Sequence, residues 1–422
     1  MSTTATAAPL LDELRDWLGS ELPDGWMEAV DNDDTEEFRR LRSQLDYTDW
    51  CIRFADAGWA TPTWPSEYGV GRSLTPAQVR PVNEMLTHYQ VPRSYNIIGI
   101  GMGGPTVIEW GSEEMKKRLL PPIARGTEIW CQLFSEPTAG SDVAGLATRA
   151  VRDGDEWVVT GQKVWTTLAH EATWGMLVAR TNPDVPKHKG LSYFVIDMKS
   201  PGVTVKPLVQ MTGDAEFNEV FFDEARVPDA MRLGPEGEGW RVAITTLMNE
   251  RVALSGAGSV GGDAVGGSPV MRVLDRHRPI LDPVLRQRAA QAVIENRVIK
   301  LTNQRAAAAR KAGQAGPEGS VTKLFQAEFN IRLQELAVDL EGPDALAWAS
   351  SGSGGRAMPG WVDSGEIDHG AVVKGFLRSR ANTIEGGTSE IMRNILGERV
   401  LGLPKEPQVD KDVAWKDVLR SG

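Results

Sequence analysis

The hydrophobic period of this 422-residue chain changes twice, and few folds accommodate that order. Up to about residue 125, apolar residues recur every three or four positions, as in LLDELRDWL, the spacing of an amphipathic helix. GSEEMKKRLLPPI adds a start signal. Ser112 can cap, Glu113 and Glu114 sit at the positive end of the helix dipole, and Pro121 is expected to end the run. From about 126 to 235 the period shortens. EWVVTGQKVWTT reads as two β-rich runs around Thr160-Gly161, a hairpin signal, and LSYFVIDM, GVTVKPL and FNEVFF read as further short strands. After Trp240 the helical period returns in WRVAITTLMNERVAL, VLRQRAAQAVIENRVIKLTNQRAAAARKA and VTKLFQAEFNIRLQELAVDL. The glycine-rich SGAGSVGGDAVGGSP and SSGSGGRAMPG read as loops. The expectation is an α+β chain in three parts: a helical domain over 1–125, a β-barrel or sandwich over 126–235, and a helical bundle over 236–422.

Charge and composition narrow the partners. A formal net charge of -11 argues against nucleic acid or an anionic membrane. The first residues lack the basic stretch of a secretory signal, and no run approaches the roughly 18 apolar residues of a spanning helix. Only Cys51 and Cys131 are present, so no disulfide framework is expected and a cytoplasmic setting fits. The five histidines stand at no metal-ligand spacing, so no metal site is expected.

GIGMGG, Gly99 to Gly104, matches the dinucleotide fingerprint G-x-G-x-x-G. That reading needs a preceding strand and an acid about 20 residues on, whereas the neighbourhood here is helical and position 124 is alanine. Small residues that let helices approach closely are the better account.

Two stretches in the β region carry more. WCQLFSEPTAGSDVAG contains a small-residue loop whose backbone N–H groups could meet a ligand, although the same residues make an ordinary turn. GQKVWTT ends a strand on Trp165 followed by Thr166 and Thr167; the indole could cover one face of a flat heterocycle, or pack in a core. Together with FNEVFFDEARVP and GEGW downstream, the pair is more specific than either alone.

With SEPTAGSD, GQKVWTT, NERVAL and GGTSEIMRNILGERVLGLP, the chain resembles the acyl-CoA dehydrogenase family over most of its length. The resemblance implies that fold, with an N-terminal helical domain, a middle β domain and a C-terminal four-helix bundle, and with FAD between the last two. It implies that Gln132, Phe134 and Ser135 line the flavin ring, that Trp165 and Thr167 stand beside it, and that Gly140 and Ser141 meet FAD or the CoA phosphate. Thr388 and Glu390 match cofactor-contacting positions, and Ser141, Arg251 and Gly386 fall on the substrate side. The implied chemistry is α,β-dehydrogenation of an acyl-CoA thioester. A carboxylate removes the Cα proton, the flavin takes hydride from Cβ, and an electron-transferring flavoprotein accepts the electrons.

The position of the base departs from the commonest pattern. Many members carry Tyr-Glu-Gly-Thr in the last motif, with that Glu as base. Aligned on Gly-Thr, this chain places Gly386 there, and Glu385 falls one residue early. Other members carry the base on a helix as Glu-Arg, which here is Glu250-Arg251. Helical spacing supports Glu250 independently, since Ala243, Leu247 and Leu254 put it at the border of an apolar stripe, where partial desolvation makes a carboxylate more basic. Glu250 is therefore the expected base and Glu385 a bystander, with Arg380 as its candidate partner.

Two cofactor motifs of the family are missing. No Phe-Gly follows Arg in RVLDRHRPILD, and DLEGPDALAW stands where Gln-x-x-Gly-Gly would. This resembles subunits of heteromeric members, and implies a dimer or tetramer with itself or a related chain. An acyl-CoA oxidase, or a non-catalytic partner subunit, are the alternative readings.

Overall fold

The structure, a computed structural model, describes residues 8–254, 269–277, 279–280, 282–311, 318–347, 369–407 and 410–418. The two glycine-rich stretches expected as loops lie outside these residues, apart from Pro269 at the end of the first.

The first part is helical: α1 Ala8–Glu21, α2 Trp26–Asp31, α3 Thr35–Gln44, α4 Tyr47–Asp56, α5 Pro76–His88, α6 Gly104–Trp110 and α7 Glu113–Arg125. Trp26, Trp50 and Trp59 are buried among the helices with Leu14, Leu18 and Phe54. Asp34 and Asp46 accept from the backbone N–H groups that α3 and α4 leave unpaired at their starts. Ser112 caps α7 as expected, accepting from Met115 N at 3.3 Å. The expected stop at Pro121 is wrong, because α7 runs through Pro121 and Pro122 to Arg125. Leu119, Leu120, Ile123 and Ala124 are all buried, and that packing outweighs the hydrogen bonds the prolines remove.

The glycines of GIGMGG form a π-helical turn, Gly99–Gly103, leading into α6. A Cβ on Gly103 would lie 2.8 Å from the Trp130 ring, and one on Gly104 would lie 2.1 Å from that of Trp64. Close approach is what these two glycines permit.

The middle part is an eight-stranded sheet: β1 Trp130–Leu133, β2 Arg149–Asp153, β3 Glu156–Thr167, β4 Trp174–Arg180, β5 Leu191–Asp197, β6 Val203–Leu208, β7 Phe217–Pro228 and β8 Arg232–Leu233. The order is β6-β7-β3-β2-β4-β5-β8, and β1 lies parallel to β4 off that path. Alternation feeds both faces. Leu177, Phe194 and Ile196 enter one core with β1, β3 and β7, while Met176, Tyr193 and Val195 enter another shared with the N-terminal helices.

The expected hairpin at Thr160-Gly161 is also wrong. Glu156–Thr167 is one strand, and the tight turn is Gly154-Asp155 between β2 and β3. Gly161 marks a register shift instead, where a Cβ would lie 2.4 Å from Thr148 Oγ1.

The last part comprises α8 Gly239–Leu254, α9 Pro269–Arg276, α10 Pro283–Lys311, α11 Glu318–Glu341, α12 His369–Ser379 and α13 Ser389–Arg399. Helix α11 packs against α10, α12 and α13, while α8 packs on β4, β5 and the π-helical turn. Thr246 fixes α8 by hydrogen bonds with Thr106 (2.9 Å) and Tyr193 (3.0 Å). Among the described residues, no helix is long and apolar enough to cross a membrane.

Candidate active site

Strand alternation sends Cys131 and Leu133 into the sheet core and leaves Gln132 on the opposite face, towards α8. There the Gln132 amide donates to Glu250 Oε2 at 3.4 Å. Glu250 stands one helical turn beyond the anchored Thr246 and is half-buried. The backbone of Arg251 belongs to α8; its side chain lies outside the described residues.

Beyond Phe134 and Ser135 the chain makes a tight turn, with Glu136 and Ala139 exchanging backbone hydrogen bonds of 3.1 and 3.0 Å. The Glu136 carboxylate inside that turn accepts from Ala147 N (2.6 Å), Thr148 N (2.9 Å) and Lys163 Nζ (2.9 Å). Lys163 has no exposed surface and also donates to Phe134 O at 3.0 Å. Burial by itself would raise the Glu136 carboxyl, but the Lys163 charge and the two N–H donors hold it below its ordinary value. This pair, with Val164 N donating to Ser135 O (2.9 Å), locks the SEPTAGSD loop to β3 and leaves Gly140 and Ser141 exposed at its tip.

Between Lys163 and Thr166, β3 carries one residue more than β7 opposite it. The bulge turns Trp165 out of the sheet: its backbone is left-handed, φ 60°, and its side chain is 58% exposed. A tryptophan in that conformation is strained by roughly 1–3 kcal/mol, and such strain clusters at functional sites. Phe217 supports the indole edge-on, with ring centroids 5.9 Å apart. Arg378, on α12, lies 5.7 Å from the Phe217 ring on β7. Thr167 follows, half-buried, paired with Phe217.

Arg378 also grips Glu385 with both nitrogens (3.2 and 2.8 Å), and Asn382 Nδ2 donates to the same carboxylate at 2.7 Å. The candidate partner Arg380 turns elsewhere, to Glu335 at 2.9 Å. Gly386 and Gly387 follow with φ of 62° and 93°, so the backbone there calls for glycine. Thr388 caps α13, accepting from Ile391 N at 3.1 Å, and Glu390 is exposed beside Arg393.

One residue that sequence reasoning missed joins these pieces. Lys323, on α11, donates to the carbonyls of Asn382 (2.8 Å) and Gly387 (2.6 Å), and so brackets Gly386. Burial lowers its pKa, while the carboxylates of Glu385, Glu328, Glu250 and Glu390 oppose that shift. A lysine on a long helix carries no signal of such a role in sequence.

Profiles of the acyl-CoA dehydrogenase N-terminal, middle and C-terminal domains match residues 6–127, 131–225 and 237–401. The chain is 40% identical to acyl-CoA dehydrogenase IpdE1 of Mycobacterium tuberculosis (strain ATCC 25618 / H37Rv) over 363 residues, 85% of this chain and 88% of that one. It is 39% identical to acyl-CoA dehydrogenase FadE34 of the same organism over 355 residues, 84% of this chain but 46% of the relative, so it spans about half of that longer protein. Among solved structures, the ChsE4-ChsE5 complex from Mycobacterium tuberculosis superposes with a TM-score of 0.69 at 28% identity, over 94% of this chain and 98% of that one. The Tcur3481-Tcur3483 steroid ACAD gives 0.70 at 27%, over 95% and 98%. By its three domain matches and its identity to IpdE1 over most of both chains, this protein belongs to the acyl-CoA dehydrogenase family.

Proposed function

We propose that this chain is an FAD-dependent dehydrogenase of acyl-CoA thioesters, with Glu250 as the base that takes the Cα proton. The observation that carries this reading is the contact of the α8 carboxylate Glu250 with Gln132 of β1. Glu385 is held by Arg378 and Asn382, whereas Glu250 meets the Gln132 amide at the junction of α8 and β1. A base must reach a proton in the substrate, and a carboxylate clasped bidentately by an arginine is poorly placed to do so.

The exposed Trp165 ring and the Thr167 hydroxyl fit one side of a flavin, and the small residues of the Gly140-Ser141 tip fit its phosphates or those of CoA. FAD, when bound, supplies the acceptor for the Cβ hydride. Glu250 receives the proton, the Cα=Cβ bond forms, and hydride and proton together account for the two hydrogens removed. Gln132 orients the carboxylate. Lys323 holds the backbone on either side of Gly386, where the chain lacks the side chain that other family members use as base.

A glycine in that position, with the base on a helix, suits a branched or bulky acyl chain, and the likeness to a steroid ACAD supports including steroid-derived thioesters. The likeness to the ChsE4-ChsE5 complex supports a related partner subunit in a hetero-oligomer. An electron-transferring flavoprotein is the proposed acceptor.

The test is anaerobic titration of the yellow protein with a panel of acyl-CoAs, from short linear to steroid-derived. Glu250→Gln should bind substrate without bleaching the flavin, while Glu385→Gln still bleaches it. Bleaching by Glu250→Gln at near wild-type rate would remove the assignment.

A further inference from the structure

The matched C-terminal domain ends at residue 401, yet the chain continues, and residues 410–418 return to the middle domain. Ala414 pairs with Pro186, Trp415 N donates to Val185 O at 2.9 Å, and Lys416 N donates to Pro183 O at 3.1 Å. The segment thus lies along the β4–β5 connection. Its Trp415 side chain reaches further, donating from Nε1 to Gly145 O at 3.1 Å.

The two carbonyls flanking that one belong to Arg180. This guanidinium, 3% exposed, donates to Ala144 O (2.7 Å) and Leu146 O (3.1 Å), and lies 4.1 Å from the Trp415 ring centroid. Three successive carbonyls of one turn are therefore taken by an arginine and the tryptophan stacked upon it. A second tie lies at the start of the same turn: Lys187 Nζ bridges Asp142 Oδ2 (2.9 Å) and Asp410 Oδ2 (2.7 Å). Asp142 immediately follows Ser141.

We propose that the C-terminal segment 410–418 is a strap that positions the Gly140–Leu146 loop for its ligand, with Trp415 as the positioning residue. The proposal rests on the reading of that loop as a contact for acyl-CoA or FAD. The inner half of the loop is anchored by the buried Ala144 and Leu146, whereas its exposed tip, Gly140 to Asp142, is tied through the Lys187 bridge to Asp142. Ordering it in advance spares the binding step that entropy. Loss of the strap should therefore weaken ligand binding and leave the proton and hydride steps at Glu250 alone.

The experiment compares full-length Trp415→Ala and Trp415→Phe with the parent by hydrogen–deuterium exchange and by turnover with acyl-CoA and an artificial electron acceptor. In Trp415→Ala, exchange across 140–147 should rise about tenfold while peptides from α8 stay unchanged. KM should rise about five- to tenfold with kcat within about twofold, as expected for loss of a stacked cation–π contact and one hydrogen bond. Trp415→Phe, which keeps the stacking, should recover most of the difference. Asp410→Asn, which loosens the Lys187 bridge at a partly exposed site, should move both readouts the same way by a smaller factor, and it decides the matter if Trp415→Ala fails to fold. Unchanged exchange at 140–147, or a fall in kcat at constant KM, overturns the strap. If the parent itself neither binds nor oxidises any acyl-CoA, the catalytic reading fails, and the exchange of 140–147 still decides whether the strap orders the loop.

Discussion

The Gln132 amide of β1 donates to Glu250 Oε2 of α8 across 3.4 Å, joining a strand of the middle sheet to the helix that follows it more than a hundred residues later. The contact needs both the strand alternation that leaves Gln132 outside the sheet core and the Thr246 anchors that set the rotation of α8. Gln132→Leu keeps the volume and removes the donor. A single hydrogen bond to a charged group is worth about 1.5–3 kcal/mol, so flavin reduction should slow by about ten- to a hundredfold, while acyl-CoA affinity stays close to that of the parent. Stopped-flow reduction under anaerobic conditions measures the first, and equilibrium titration the second.

Lys323→Met should loosen the loop around Gly386. It removes a cation from two backbone carbonyls, at a cost of about 1–3 kcal/mol read by denaturant unfolding. Reduction should slow more than Glu385→Gln slows it, because Lys323 holds the loop on both sides of Gly386.

Glu136→Ala should be the most damaging change outside the reacting groups. It leaves Lys163 buried with an uncompensated charge, at a cost of about 3–5 kcal/mol, and adding Lys163→Met should recover part of that loss. The sign with pH follows from the Glu136 carboxyl lying below its ordinary value of 4.5 in the folded protein. The folded state binds that proton less readily than the unfolded one. The contribution is complete above about pH 4.5 and falls away as acid protonates the folded carboxyl. Urea midpoints measured from about pH 5 down to about pH 2 should decline in the parent and stay flatter in the double variant.

Both cysteines should be silent towards a disulfide reagent at pH 8 in the folded protein and react on unfolding. Burial raises Cys51 to about 11 and Cys131 further still, so neither carries thiolate. Rapid native labelling of Cys131 would mean that β1, and Gln132 with it, opens readily.

What the sequence discloses divides along physical lines. The strands of LSYFVIDM and FNEVFF are legible because short runs rich in aromatic and β-branched residues, bounded by Gly, Pro and Asp, are a local property, and the place of Glu250 on α8 is legible because its neighbours at three, four and seven positions define one helix face. The end of α7 is not, since Leu119, Leu120, Ile123 and Ala124 find their packing in distant elements that outweigh two prolines. Gly161 resembles a turn residue because sterics against Thr148, the residue before β2, exclude a side chain there. Lys323 is hidden for another reason: its partners are backbone carbonyls about 60 positions away, and a carbonyl is common to every residue type. Glu385 is misleading in the same way, as its guanidinium partner is Arg378, seven residues back, rather than the nearer Arg380.

The left-handed backbone of Trp165 sets stability and performance against each other at one position. Trp165→Gly would relieve the φ of 60° and remove a large exposed indole, and both changes favour a more robust and soluble protein. The same change would strip the aromatic face proposed to meet the flavin. A library screened for thermal tolerance alone should therefore enrich glycine or asparagine at 165 and deliver colourless, well-behaved, inert protein, whereas retention of yellow colour during the screen should keep the tryptophan.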